Sequence, residues 1–545
     1  MNGASSLSMS RLDLAVVAAY LLGIVGLGLW AWKRRRTKQA SSAQYFLAGG
    51  TLRWPVIGLA LFSTNISTIH LVGLAASGYS DGLVWGNFEW MATFTLVLLG
   101  LVFAPFYFRS RISTLPEFLE KRYGPGSRVM LAFMAILAAL FIHIGMSLYA
   151  GAAVFRQFFG IDVVTSIVII SLVTGIYTIL GGLKAVVVTE AIQSVILILG
   201  AVIVTAFAVL ALPSHGIHTL AEFKAAVKPD QLSMLQTRSA AGLNWYAIFL
   251  GYPILGIWYW CTDQTIVQRV LGSRTEKDAQ HGALFAGLLK ILPVFILVLP
   301  GVLGYVLFRD VIGADPNQTL PVLLVRLIPT GLKGVIAAGL LAALMSTIAA
   351  ALNSSATLVA VDIVKRVKPE ASDRAQVRIG QISTVVVMLL AMAWSTQGGR
   401  YTSIFEAINT IASYLAPPIT AVFLWGVFWK RGTRQAALTT LVAGFLTGVV
   451  SFLIDLPVFG TEKVITHGLG IPFMMQAWWM FCLCSVIFVV VSLLTPRPDP
   501  ETVAALTWKS PSAVLTHGRI EGLSDPRVLA GGLLAILTVL YIIFR

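Results

Sequence analysis

Three cysteines in 545 residues are too few for a disulfide scaffold. Cys261, Cys482 and Cys484 all lie in apolar runs, and none has the C-x-x-C spacing of a zinc or dithiol site. Charge is equally scarce: 12% of residues are Asp, Glu, Lys or Arg, against roughly 25% in an ordinary soluble domain. With 57% hydrophobic residues, this excludes a soluble multidomain enzyme. The seven histidines form no H-E-x-x-H or comparable ligand pattern. Low-complexity tracts are absent. The longest non-apolar pieces, 213–241, 309–331 and 496–526, are too short for a separate catalytic domain. Acidic residues are the scarcer sign, 24 against 39 basic ones, for a net charge of +15.

What remains is hydrophobic length. About 20 helical residues cross the hydrocarbon core. Stretches that qualify lie near 12–32, 54–79, 83–108, 128–157, 161–180, 185–212, 242–267, 279–307, 332–362, 377–395, 403–429, 435–457, 472–495 and 527–544, about fourteen in all. The first follows a short polar start with no small-residue cleavage site before Lys33-Arg34-Arg35-Arg36, so it reads as an uncleaved anchor. With the N-terminus outside, the cytoplasmic loops would hold about 27 of the 39 basic residues, the bias of the positive-inside rule. The excess charge therefore sets topology, and nucleic acid is not an expected partner. Fourteen spans put the C-terminus outside as well. The stretch 319–330 reads as a short surface helix between spans.

Polar and ionisable residues inside spans are costly and mark pathways or sites. The second span carries Ser63, Thr64, Asn65, Ser67, Thr68 and His70, a density that favours local unwinding and frees carbonyls for a cation. Hydroxyls bonded back onto their own helix are the bland alternative. Glu89 and Lys290 lie inside the third and eighth spans; they pair with each other, or meet a polar substrate, or both. The seventh span holds Trp258-Tyr259-Trp260-Cys261-Thr262-Asp263-Gln264 after Pro253 and Gly256, a pattern suited to a second break. Aromatic faces there suit the C–H faces of a sugar, or a membrane-interface belt. Ser346 and Thr347 in the ninth span serve either as helix-packing residues or as part of an oxygen cage. Breaks in the second and seventh spans, five apart, point to an inverted repeat of opposite membrane orientation, the second half starting near residue 241.

From about residue 41 to 450 the chain resembles the sodium/solute symporter family, specifically its sodium/glucose cotransporter branch. The resemblance rests on Ser41 to Gly50, Asn65-Ile66-Ser67, Phe88-Glu89-Trp90, Tyr177-Thr178-Ile179-Leu180-Gly181-Gly182-Leu183-Lys184-Ala185, the Trp258 to Gln264 run, Leu289-Lys290 and Phe405 to Pro418. The Gly-Gly motif is family-wide; the Trp258 to Gln264 run is far more specific to the sugar branch. The resemblance implies an all-α membrane fold of the amino-acid transporter LeuT-like type, with repeats at about 54–212 and 241–430 inside a single transporter domain. The helices at 12–32, 435–457, 472–495 and 527–544 would flank it. It implies a sodium site from the carbonyls of Ser63, Ile66 and Ala343 with the hydroxyls of Ser346 and Thr347. It also implies sugar contacts at Asn65, His70, Glu89, Tyr259, Trp260 and Lys290, with Phe88 and Tyr259 as gates.

Three departures from the pattern bear on the solute. The family's sugar-site glutamine is Asn409 here, one methylene shorter. Gly256 replaces a polar residue, and Glu190 stands near the inner sodium path where Asp is usual. The expected activity is sodium-driven import of a hexose such as glucose or galactose. A polyol such as myo-inositol, or another small organic solute, is the alternative. Sodium would be co-transported, with no organic cofactor and no obligatory protein partner, and the setting would be the lipid of the plasma membrane. No nucleophile–base pair or metal cluster indicates an enzyme.

Overall fold

A computed structural model describes residues 9–36, 41–237, 242–397, 404–455, 464–510, 513–516 and 520–545. Among these, regular structure is helical throughout, apart from one isolated bridge between Leu52 and Ser273. Eleven helices are long and apolar enough to cross a membrane, or twelve if the bent pair Trp54–Asn65 and His70–Ser80 counts as one. The membrane-length and broken helices are numbered here as α1 Arg11–Arg36, α2 Trp54–Asn65, α3 Thr68–Ser80, α4 Leu83–Arg109, α5 Pro125–Arg156, α6 Val163–Leu210, α7 Trp245–Gly256 and α8 Gln264–Leu271. They continue as α9 Glu276–Ile312, α10 Leu332–Thr357, α11 Asp373–Ser395, α12 Ile404–Phe428, α13 Arg434–Ile454, α14 Phe473–Leu494 and α15 Pro526–Ile543.

Two of the expected spans, 161–180 and 185–212, run together as α6. Its 48 residues would measure about 72 Å if straight, more than twice the ~30 Å hydrocarbon core. The run is interrupted at Gly182, whose φ of 67° and ψ of −172° are non-helical. A Cβ there would lie 2.8 Å from the Tyr45 carbonyl oxygen. Tyr45 is held against the same junction by its hydroxyl, which donates to the Ile179 carbonyl at 2.9 Å. The second glycine of the Gly181-Gly182 pair thus has a conformational cause. Elsewhere, α3 and α9 touch backbone to backbone: a Cβ on Gly78 would sit 2.1 Å from the Val298 carbonyl oxygen. Close approach through small residues is how membrane helices gain packing energy without a hydrophobic drive.

The seventh span breaks later than its aromatics. Pro253 is tolerated inside α7, residues Ile257–Thr262 continue as π-helix, and the chain turns extended only at Asp263, with φ −85° and ψ 123°. The expected surface helix is present as Thr319–Leu327, with Leu320, Leu323 and Leu324 buried beneath it. Two arginines that lie between expected spans are buried. Arg122 donates to the carbonyls of Gly426, Trp429 and Gly432 near the end of α12, and Arg269 pairs with Glu190. Each has a partner that offsets its desolvation, which charge counting alone cannot see. The expected start of the second half at residue 241 lies outside the described residues.

Gly182→Val should therefore destabilise the fold, since a non-glycine residue in this backbone region costs about 1–3 kcal/mol before the clash is counted. Gly26→Val, in α1 with open space around it, should be neutral. Thermal unfolding in detergent separates them: a lower melting temperature for the first variant only is the expected result.

Candidate functional site

The break between α2 and α3 follows from local chemistry. Ile66 and Ser67 are extended, so the Ser63, Thr64 and Asn65 carbonyls lose the amide donors a continuous helix would supply. The restarting helix is capped by a reciprocal pair, Ser67 and His70, in which the Ser67 amide donates to His70 Nδ1 at 3.3 Å. The bend is 61°. Hydroxyls of α10 take up the freed carbonyls: Ser346 donates to Ser63 at 2.8 Å and Thr347 to Thr64 at 2.9 Å. Both also reach the Ala343 carbonyl, at 2.9 and 3.2 Å. Thr68 completes the grip by donating to the Leu340 carbonyl at 2.9 Å. Four of the five expected sodium ligands, Ser63, Ala343, Ser346 and Thr347, therefore meet in one oxygen cluster. The fifth, Ile66, lies on the break itself. The Thr64 carbonyl joins the cluster without having been anticipated.

Beside this cluster lies a cavity with about 790 Å³ of empty space, including its opening. Asn65, His70, Glu89, Tyr259, Trp260 and Asn409 line it, as do Phe88 and Thr347. Lys290 stands just behind the lining. It occupies the turn where Pro293 interrupts α9, and its Nζ donates to both Asn65 and Glu89. Lys290 and Glu89 are each only 1% exposed. The ammonium also lies 5.5 Å from the centre of the Trp260 ring, a cation–π contact. His70 Nε2 approaches Glu89 at 4.0 Å. Six of the seven expected sugar contacts thus line one space with Lys290 behind them; Glu89 and Lys290 are partners, and Glu89 borders the cavity.

The two expected gates differ in setting. Phe88 stacks on Trp85 at 5.8 Å and on Phe473 at 6.4 Å, with Tyr252 edge-on at 5.8 Å. Tyr259 sits between Trp258 and Trp260, edge-on to both at 6.0 and 5.1 Å. Gly256 is no open slot: a Cβ there would lie 2.7 Å from the Tyr252 ring and 2.8 Å from Thr95 Cγ2. Tyr252 is itself fixed by donating to the Phe88 carbonyl at 2.9 Å. Glu190 does not reach the cavity; Arg269 Nε donates to it at 3.1 Å, and both are fully buried. The sequence reading missed Tyr252, Ser147 and His143. The last is an ionisable residue inside a span, so the rule that flagged Glu89 and Lys290 would have found it.

A model of the sodium:solute symporter family matches residues 45–444. The chain belongs to that family. Rabbit sodium/glucose cotransporter 1 is 33% identical over 89% of this chain and 80% of its own length. A sodium/mannose cotransporter of cattle is 36% identical over 92% of this chain and 89% of its own length. Rabbit sodium/myo-inositol cotransporter 2 is 33% identical over 91% and 78%. In fold, the chain is similar to a Na+-coupled sialic acid symporter solved in a substrate-bound outward-open state. The TM-score is 0.75 at 21% identity, over 90% of this chain and 99% of that one. It is also similar to Mhp1 of the nucleobase-cation-symport-1 family, with a TM-score of 0.54 at 15% identity over 86% and 99%. The chain is thus an all-helical, multi-pass membrane transporter and not an enzyme.

Removing Lys290 leaves a buried carboxylate without its counter-ion, a change worth about 3–5 kcal/mol. Lys290→Ala should accordingly lower the melting temperature, and Glu89→Gln with Lys290→Met should recover it without recovering transport. Recovery of both would show that the pair serves the fold alone.

Proposed function

We propose that this transporter imports a neutral sugar together with sodium by alternating access, a glucose- or galactose-like hexose being the first choice of solute. A polyol such as myo-inositol is the second reading, favoured by the inositol-transporting relative and by Asn409, whose shorter reach changes which hydroxyl it can meet. The observation that carries the proposal is the sharing of one helix break by two sites. Asn65 lines the cavity one residue from Thr64, whose carbonyl belongs to the oxygen cluster, and Thr347 belongs to both.

Neutrality of the solute follows from charge pairing. Lys290 is matched by Glu89 and Arg269 by Glu190, so neither offers an uncompensated cation to a carboxylate substrate. The cavity instead presents amide, imidazole and carboxylate groups beside Trp258, Tyr259 and Trp260. That mixture suits a ring with polar edges and apolar faces. Sodium would bind the carbonyls of Ser63, Ile66 and Ala343 and the hydroxyls of Ser346 and Thr347. The hydroxyls would turn their protons away from the carbonyls they now bond. Bound there, the ion holds α2 and α3 in the bend that presents Asn65 and His70 to the sugar. Phe88 and Tyr259 then close over it. Each sodium ion entering down the membrane potential supplies about 2.3 kcal/mol per 100 mV.

The architecture we infer has fourteen spans: α6 divides at Gly182, α2 with α3 forms one span, and α7 with α8 forms another. Repeats of five spans cover about 54–212 and 241–430, with breaks at Ile66-Ser67 and Asp263 in their first members. Both termini would face outward at the plasma membrane. This is supported by the Asp13 carboxylate accepting from the Gly331 amide and by the Met234 amide donating to the Phe544 carbonyl, since both loops are external in the same scheme. Sodium is the only co-substrate required, and the protein needs no organic cofactor or second protein.

Uptake by proteoliposomes tests the reading. An inward sodium gradient should drive accumulation of labelled D-glucose, D-galactose, D-mannose or myo-inositol, and unlabelled carboxylates should not compete. If the solute is a hexose, Asn409→Gln should lower its half-saturating concentration several-fold. Uptake indifferent to the sodium gradient contradicts the proposal.

A further inference from the structure

The α5 helix brings a buried acid–base pair to the cavity wall. His143 lies in its π-helical segment Ala139–Met146 and lines the cavity one turn before Ser147. Its Nε2 meets Asp263 Oδ2 at 2.6 Å, and both side chains are almost wholly buried. The imidazole lies nearly parallel to the Trp258 indole, 6.3 Å between centres and 13° between planes, with the Tyr259 ring at 5.7 Å. Asp263 is the extended residue that breaks the seventh span. Its other oxygen accepts from the Thr265 amide at 2.7 Å and caps α8.

This arrangement fixes the proton on the ring. A carboxylate whose one oxygen accepts from a helix amide and whose other oxygen meets a ring nitrogen at 2.6 Å takes that nitrogen as its donor. Nε2 is therefore the nitrogen that carries hydrogen, and in a neutral imidazole the other nitrogen is then a pure acceptor. Nδ1 has no hydrogen-bond partner among the described residues, and His143 borders the cavity. Lys290 is spent on Asn65 and Glu89, and position 256 has no side chain and no room for one.

We propose that His143 is a specificity-determining contact of the substrate, its Nδ1 accepting a hydrogen bond from one hydroxyl of the sugar or polyol, with Asp263 as the positioning residue that sets the tautomer. This rests on the sugar-or-polyol reading above and adds a contact on α5 to those on α2, α3, α4, α9, α12 and the π-helical turn that follows α7. A site with a fixed acceptor discriminates strongly against an analogue that cannot donate, because the acceptor is then desolvated without a partner. The same fixed proton ties substrate recognition to the break at Asp263.

The test uses the full chain in proteoliposomes under a sodium gradient. D-glucose, D-mannose and myo-inositol are compared with the monodeoxyfluoro analogues of whichever is transported, since fluorine keeps the size of a hydroxyl but cannot donate. The wild-type protein should discriminate against one analogue more than the others. His143→Gln keeps an amide donor for Asp263 and removes the acceptor at Nδ1. It should raise the half-saturating concentration of the parent solute about tenfold, the loss of one good hydrogen bond in a buried site. It should also abolish discrimination at that one hydroxyl, leaving the other analogues' ratios and the sodium dependence unchanged. Asp263→Asn keeps the helix cap but presents N–H to Nε2, so the proton moves to Nδ1; discrimination at the same hydroxyl should vanish in this variant too. A uniform loss for parent and all analogues in both variants would overturn the assignment and leave His143 a packing residue. Failure of the wild-type protein to take up any of the three solutes would overturn the substrate reading itself, and the assignment with it.

Discussion

Two hydroxyls on α10 and one on α3 hold the two halves of a broken helix at a fixed bend. Ser346, Thr347 and Thr68 together span the gap between α2, α3 and α10, each using a carbonyl that regular helix would have occupied or hidden. In lipid an unsatisfied carbonyl costs several kcal/mol, so a break of this kind persists only where side chains or an ion replace the missing amides. The same atoms that stabilise the break are those a sodium ion would take. The cavity-lining residues Asn65 and His70 hang from the two sides of it. The bend, the oxygen cluster and the cavity are one structural unit, and a change in any of them reaches the other two.

The chemistry concentrates where helices are irregular. Asn65 ends a helix, Glu89 starts one, Lys290 sits on a proline turn, and Tyr259, Trp260 and His143 lie in π-helical turns. A regular helix in a membrane has no free backbone groups and turns its side chains onto the neighbouring helix. Irregular turns re-aim side chains and free carbonyls, which is why π-bulges recur at functional sites. Buried ionisable groups follow the same economy. Glu89 with Lys290, Glu190 with Arg269 and Asp263 with His143 are all paired, and only the first and last face the cavity.

Much of this was readable in the sequence. Hydrophobic length gave the polytopic helical class, because the bilayer imposes a length that no core helix needs to match. The run Ser63 to His70 announced its own break, because hydroxyl and amide side chains compete with helical backbone bonds. The aromatic run Trp258 to Trp260 marked the second break only approximately. Its residues tolerate a π-helix, and the actual turn fell at Asp263, where a carboxylate could cap the next helix. Arg122 and Arg269 lie between expected spans, and one-dimensional charge counting cannot register the distant carbonyls and carboxylate that bury them. His143 is open to the same rule as Glu89 and Lys290, as an ionisable residue inside a span, but its partner lies 120 residues away. Its role depends on which ring nitrogen that partner engages, something a linear pattern cannot express.

If sodium and solute share the α2–α3 break, each must raise the other's affinity by the same factor. Calorimetric titration of the purified protein with the transported solute, over a range of sodium concentrations, measures that factor directly. The account predicts that solute affinity rises with sodium by about tenfold or more, a coupling of roughly 1.4 kcal/mol within the usual range. It further predicts that Thr347→Ala shifts the rise to higher sodium and shrinks it. Solute affinity independent of sodium, or a coupling unchanged in Thr347→Ala, would contradict it.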